Sequence, residues 1–195
     1  MFKETSKELL NFLSKSPTAF HAVENYRQIL NADGFKELLE SEHWDIVPGG
    51  KYYVTRNNTS ILAFKVGTKL DNYSFNIVTS HTDSPTFKVK ENAEIEVKNK
   101  YTQLNTEGYG GMLCATWLDR PLSIAGRVLV SEGNSIVTKL LNIDRDLLMI
   151  PNVAIHMNRA ANDGFKYNLQ VDMLPLLSGG DDRQKDFKQI IADEL

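Results

Sequence analysis

His81 and Asp83 are the residues of this chain whose types and spacing best suit metal chemistry. They follow residues 75–79, a β-branched and aromatic run that predicts a buried strand. Side chains at positions i and i+2 of an extended segment point the same way, so Asp83 is expected beside the His81 ring. A carboxylate there fixes the tautomer of the ring while the other ring nitrogen binds a cation. The alternative is a surface turn in which Asp83 and Ser84 only hydrogen-bond the backbone.

Four segments of the chain together resemble the aspartyl aminopeptidase family, which consists of zinc-dependent exopeptidases of the cytosol. The segments follow the order of the family at about its spacing and extend over most of the chain. They are SPTAFHAV (16–23), SHTDSPTFKVK (80–90), WLDRPLSIAGRV (117–128) and PNVAIHMNR (151–159). Ordered matches of this kind are far more specific than a single short motif.

The resemblance implies a catalytic site with two zinc ions and a general base that handles the proton of a bound water. On matching positions, His81 is a zinc ligand and Asp83 is the catalytic-site carboxylate that orients its ring. His156 corresponds to a histidine that projects from an inserted domain toward an active site, across a subunit boundary, where it meets either metal or substrate. The alternative for His156 is a hydrogen-bonded histidine buried in the protein core.

The remaining ligands of the family pattern are absent from these residues, because the chain contains no Glu-Glu pair. We therefore expect the chain to be the N-terminal portion of a longer enzyme and to hydrolyse nothing alone. The alternative is a non-catalytic assembly or regulatory module derived from such an enzyme. Thr86 and Glu91 stand where glycine and proline are common in the family, which bears on substrate preference more than on zinc chemistry.

Composition and charge are those of an ordinary soluble globular protein: 195 residues, 42% apolar, 24% charged and a net charge of −3. The basic residues are scattered, which argues against a nucleic-acid partner. No apolar stretch approaches the ~20 residues of a membrane span. Cys114 stands alone, which excludes an internal disulfide and favours a cytoplasmic setting. The resemblance implies that the partners are peptide substrates and further copies of the chain.

The pattern of elements predicts an α/β protein with two parts and a helical end. Helices, the second ending at residues 31–34, a hairpin turning at residues 56–59 and the 75–79 strand indicate one side of an α/β or α+β layer structure. The resemblance implies that residues 1–90 form an incomplete α/β/α layer domain of the zinc-peptidase type. Residues 93–98 alternate as a strand, and a second hairpin is expected to turn at residues 131–134. The resemblance implies that residues 91–175 form an inserted, β-rich and barrel-like domain that supports oligomer assembly. Residues 176–195 form a helical return segment, in which Phe187, Ile190 and Ile191 have helical spacing.

Three further groups of residues are candidates for a functional role. Trp117, Asp119 and Arg120 form a polar cluster in an apolar setting, which predicts either an ion pair or turn cap, or an arginine that faces a substrate carboxylate. His21 lies within a predicted helix and is interpreted as a structural residue. His43 is interpreted as a surface residue.

Overall fold

The computed structural model describes residues 2–71, 74–180 and 186–195, and it begins with the helices α1 (Phe2–Ser14) and α2 (Ala19–Ala32). Thr18 caps the second helix, because its hydroxyl accepts a hydrogen bond from the His21 backbone N–H at 3.4 Å. The helix ends before Gly34, whose φ of +79° lies in the left-handed region that glycine adopts without strain. The predicted stop of the second helix at this glycine is confirmed.

The first sheet consists of β1 (Lys36–Glu37), β2 (Lys51–Arg56) and β3 (Ser60–Lys65) in the order β1-β2-β3. β2 and β3 are antiparallel, as the predicted hairpin requires. Asn57 and Asn58 form its turn at φ values of 52° and 53°, and asparagine tolerates this left-handed conformation better than most residues. Tyr53 of β2 is fully buried, and its hydroxyl donates to the Asn31 side chain at 3.0 Å, which ties the sheet to α2.

The predicted buried strand over residues 75–79 is wrong. The structure leaves this run outside every described sheet, and Phe75, Ile77 and Val78 have exposed fractions of 79%, 77% and 97%. High β propensity reflects how well a side chain fits a pleated, half-buried surface, so it gives a strand only where neighbouring strands and a covering layer exist. The described residues pair no strand with this run.

The second sheet is antiparallel and consists of β4 (Thr86–Val97), β5 (Tyr101–Tyr109) and the later strand β8 (Leu176–Gly179). A 3₁₀ helix (Cys114–Trp117) follows β5, and β6 (Ala125–Glu132) and β7 (Ser135–Asn142) form a separate two-stranded hairpin. The chain ends in α3 (Phe187–Asp193). The predicted strand at residues 93–98, the second hairpin and the C-terminal helical spacing are all present, whereas residues 181–185 of the predicted return segment lie outside the described residues.

The contacts divide the chain into two units, the first being Met1–Ser84 with Gly126–Leu140 and the second Pro85–Ala125 with Leu141–Leu195. The core of the second unit contains the fully buried side chains of Leu104, Ile150 and Met173. The fold is mixed α and β, as predicted. The barrel-like form expected for residues 91–175 and the domain boundaries expected at residues 90 and 175 stay predictions. Among the described helices, none combines the length and the apolar character that crossing a membrane requires.

Candidate metal centre

The structure places the His81 ring and the Asp83 carboxylate in direct contact, with 3.0 Å between His81 Nδ1 and Asp83 Oδ1. The His81 side chain is 92% exposed, whereas that of Asp83 is 36% exposed. A neutral histidine whose Nδ1–H donates to a carboxylate has its Nε2 lone pair available for a cation. The pair therefore has the geometry of one metal ligand with the group that orients it, although its role as a ligand stays a prediction.

Thr82, between the two residues, attaches this segment to the β2–β3 hairpin. Its hydroxyl donates to the backbone carbonyl of Thr59 at 2.7 Å, and both residues are half-buried. The contact joins positions 23 residues apart in the chain, within the first unit. The segment that carries His81 is thereby held at one point by the hairpin turn. The sequence offered no signal for this contact, because a threonine hydroxyl can donate to any nearby carbonyl.

A second His-x-Asp triplet shows that the spacing alone does not produce this geometry. His43 and Asp45 repeat the spacing of His81 and Asp83, but their nearest atoms, Nε2 and Oδ1, are 3.7 Å apart. That distance is too long for a hydrogen bond. Both side chains are more than nine-tenths exposed, which agrees with the interpretation of His43 as a surface residue. The contact between His81 and Asp83 thus depends on how the local backbone is held.

His156 lies at the surface of the second unit, within a turn closed by hydrogen bonds from the Met157 and Asn158 N–H groups to the Ala154 carbonyl at 2.8 and 3.3 Å. The interpretation of His156 as a buried core histidine is therefore wrong. Its apolar neighbours Ile155 and Met157 are also exposed, so the segment presents its ring to solvent rather than to the core.

A cavity of about 370 Å³ lies beside this turn in the second unit. Asn152, Val153 and Met157 line it from the turn segment, and Tyr167 and Asp172 line it from the segment that follows. Its wall combines apolar side chains with amide and carboxylate groups. This is the composition that small-molecule and peptide side-chain sites commonly have.

The described residues contain no group of three or more His, Cys, Asp or Glu side chains that could hold a metal ion. His81 and Asp83 are brought together, and His156 joins no such group with them. A structural zinc site takes four protein ligands and a catalytic site about three with an open position. The donor chemistry of His81 fits one of these positions, and the described residues do not complete the set.

His21 occupies a different position, in the first turn of α2. Its Nδ1 lies 2.8 Å from the Thr18 hydroxyl, and burial lowers the pKa of the ring. The ring is half-buried and hydrogen-bonded to the residue that caps its own helix. This agrees with the structural interpretation of His21.

The cluster at residues 117–120 resolves into separate contacts within the second unit. Trp117 packs edge-on against the Phe87 ring, with 5.1 Å between the ring centroids. Asp119 Oδ1 accepts a hydrogen bond from the Asn152 backbone N–H at 2.8 Å, which is the turn-cap alternative. Arg120 donates to the Thr116 carbonyl at 3.3 Å, and Arg120 is itself exposed.

Comparison with curated proteins finds relatives over nearly the whole chain. A "Probable M18 family aminopeptidase 2" of Clostridium novyi (strain NT) is 50% identical over 175 residues, which are 88% of this chain and 40% of the relative. The "Aspartyl aminopeptidase" of Dictyostelium discoideum is 46% identical over 176 residues, which are 89% of this chain and 36% of the relative. The chain therefore spans less than half the length of these relatives.

Solved structures show the same likeness in three dimensions. A chain of the solved structure of the Ape4 and Nbr1 complex matches with a TM-score of 0.87 and 39% identity, over 95% of this chain and 36% of that chain. The mApe1 dodecamer of S. cerevesiae matches with a TM-score of 0.75 and 26% identity, over 99% of this chain and 44% of that chain. A sequence model described as "Aminopeptidase I zinc metalloprotease (M18)" matches residues 12–192. The chain belongs to the M18 aminopeptidase family.

Proposed function

We propose that this chain contributes to the active site of a zinc-dependent aminopeptidase, which hydrolyses the N-terminal peptide bond of peptides. The observation that carries the proposal is the contact between His81 Nδ1 and Asp83 Oδ1, which leaves Nε2 of an exposed ring available to a cation. The family, whose description is that of a zinc metalloprotease, supports zinc as the cation. When bound, zinc lowers the pKa of a coordinated water to about 7 and polarises a carbonyl.

Each residue of this chain has a defined part in the proposal. His81 holds a zinc ion through Nε2, and Asp83 holds the His81 ring in the tautomer that leaves this nitrogen unprotonated. His156 contacts a metal ion or the substrate from its exposed turn. The complete site holds two zinc ions. Its other ligands and its general base come from polypeptide other than the described residues, because these contain no group of three potential ligands.

We propose further that the 195 residues alone have no peptidase activity. Zinc held by one histidine would bind weakly and would lack the carboxylate that removes a proton from its water. The same reasoning predicts that a polypeptide carrying the missing ligands restores activity when it is joined to this chain.

The assembly and the substrate preference are finer parts of the same proposal. The chain self-assembles through its β-rich domain in this proposal, and the solved mApe1 relative, which is a dodecamer, supports self-assembly in general. A preference for acidic N-terminal residues is supported by the Dictyostelium relative, which is an aspartyl aminopeptidase. A cytoplasmic location agrees with the single cysteine, which makes no disulfide.

The test compares this chain with the protein expressed from the complete open reading frame. Release of free amino acid is measured on peptides with Asp, Glu or Leu at the N-terminus, and bound zinc is measured by elemental analysis. We expect activity and about two zinc ions per chain in the complete protein, and neither in residues 1–195. Asp83→Asn should weaken zinc binding by roughly 10–100-fold, because it removes the group that orients the ligand.

His43→Ala is the matched control for His81→Ala, since both histidines are exposed and both have Asp two residues later. We expect the His81 variant to lose zinc and activity and the His43 variant to keep both. Equal behaviour of the two variants would contradict the assignment of His81. If the complete protein assembles but binds no zinc and releases no amino acid, the chain is instead a non-catalytic assembly module.

A further inference from the structure

Asp119 has a backbone conformation that most residues avoid. Its φ is 55°, and it lies directly after the 3₁₀ helix that ends at Trp117 and its C-cap Leu118. Left-handed φ values cost energy for residues with a Cβ, although aspartate and asparagine tolerate them better than most. Such residues persist where the surrounding contacts determine the conformation. The contacts of Asp119 therefore indicate what the conformation serves.

Two hydrogen bonds attach Asp119 to the segment that leads into the His156 turn. Its backbone N–H donates to the Ile150 carbonyl at 2.9 Å, and its Oδ1 accepts from the Asn152 N–H at 2.8 Å. The preceding residue, Leu118, also forms a β-bridge with Ile150, whose side chain is fully buried. Asp119 thus holds the chain on both sides of Pro151, at the point where the chain leaves the core after Ile150.

The hydrogen bonds directly beyond Asn152 are local. Asn152 Oδ1 accepts from the Val153 N–H at 2.8 Å, and the turn closed on the Ala154 carbonyl follows at once. His156 lies in that turn and is exposed. Because these hydrogen bonds are local, they define the shape of the turn. Its direction relative to the core depends on the hydrogen bonds at Ile150 and Asn152, together with the side chains of Val153 and Met157 that line the cavity.

We propose that Asp119 is a positioning residue, which orients the turn carrying His156 by holding the Asn152 N–H with its carboxylate. The proposal rests on the function proposed above, since it matters for activity only if His156 contacts metal or substrate. The left-handed backbone of Asp119 is the conformation that allows its N–H to bond Ile150 while its carboxylate bonds Asn152. The carboxylate therefore acts through His156 and not on the substrate.

Three substitutions separate the effect of losing the Asp119 carboxylate from the effect of straining the backbone at this position. Asp119→Gly keeps the left-handed conformation without strain but removes the acceptor. Asp119→Asn keeps both an acceptor oxygen and tolerance of the conformation, so it should act as the conservative control. Asp119→Ala removes the acceptor and adds backbone strain. Comparing glycine with asparagine therefore isolates the hydrogen bond to Asn152.

The first measurement uses the 195-residue chain and needs no activity. Amide hydrogen exchange at Asn152 should quicken by roughly tenfold in Asp119→Gly, because a hydrogen bond to a charged acceptor is lost, and remain near the native rate in Asp119→Asn. The NMR signals of the His156 ring should shift in the glycine variant alone, while the melting temperature stays near the native value. Unchanged exchange and unchanged His156 signals in Asp119→Gly would overturn the proposal.

The second measurement uses the complete protein and a cycle with His156→Ala. Asp119→Gly should lower kcat more than it raises KM in the native background and should have little further effect when His156 is already absent. An equal loss in both backgrounds would show that Asp119 acts on stability or on other residues, and would overturn the positioning role. If the native protein has no peptidase activity, the proposed function fails, and the exchange measurement alone still decides whether Asp119 holds the turn.

Discussion

Replacing Thr82 by valine tests whether the segment carrying His81 depends on its attachment to the hairpin turn. The substitution keeps the size and branching of the side chain but removes the hydroxyl that donates to the Thr59 carbonyl at 2.7 Å. The nearby contact between His81 and Asp83 at 3.0 Å should become less populated, because the residue between the two is no longer held. Thr82→Ser retains the hydroxyl and is the matched control.

The magnitude follows from the environment of the bond. Thr82 and Thr59 are half-buried, so water can reach the Thr59 carbonyl in the variant, and no full penalty for burying a bare carbonyl applies. A neutral hydrogen bond of this kind contributes about 1 kcal/mol net. The open form of the segment should therefore become roughly fivefold more populated in Thr82→Val.

The assay is amide hydrogen exchange over residues 79–85, with the α2 helix as an internal reference. We expect faster exchange in this segment for Thr82→Val, native rates for Thr82→Ser, and no change in α2. In the complete protein, zinc affinity should fall in the same order. Identical exchange in the valine and serine variants would refute the reasoning, since the two differ in the hydroxyl at this position.

Two further predictions concern pH dependence and solubility. Burial lowers the pKa of His21, so the folded chain resists protonation of this ring while the unfolded chain takes up a proton as pH falls below about 6.5. The stabilisation from the neutral ring is present above that pH and is lost on acidification. His21→Gln should therefore reduce the fall in melting temperature between neutral and mildly acidic pH. An unchanged dependence of the melting temperature on pH would contradict this. Val78, which is 97% exposed in an apolar run, should promote self-association of this chain. Val78→Lys should raise the monomer fraction in sedimentation more than the control Thr79→Lys, which adds the same charge at an exposed polar position; equal effects would show that charge alone acts.

Local sequence signals predicted several features that depend on near neighbours. Residues 31–34 end α2 and the Asn57-Asn58 pair forms the hairpin turn, because helix stops and tight turns need only particular residues at particular offsets. The contact between His81 and Asp83 was expected from their spacing, but the spacing alone is insufficient, since His43 and Asp45 repeat it without a hydrogen bond. The family could also be identified from the order and spacing of four short segments.

The run at residues 75–79 shows where such signals fail. Its β-branched and aromatic residues have the composition of a buried strand, yet the structure leaves Ile77 and Val78 exposed and outside any described sheet. Strand formation requires a partner for each backbone N–H and carbonyl and a layer that covers the side chains. Composition describes the run itself and contains no information on whether a partner is present.

The sequence by itself determined the family, the end of α2, the hairpin turns and the identity of His81, Asp83 and His156 as candidates. Tertiary structure decided which of the two His-x-Asp triplets forms a hydrogen bond between its histidine and aspartate, and that Thr82 donates to the Thr59 carbonyl. It also decided that Asp119 accepts a hydrogen bond from Asn152, 33 residues further along the chain. The physical reason is the range of the interactions. Caps and turns are closed by residues within a few positions, whereas a hydrogen bond between distant segments exists only after the whole chain has packed.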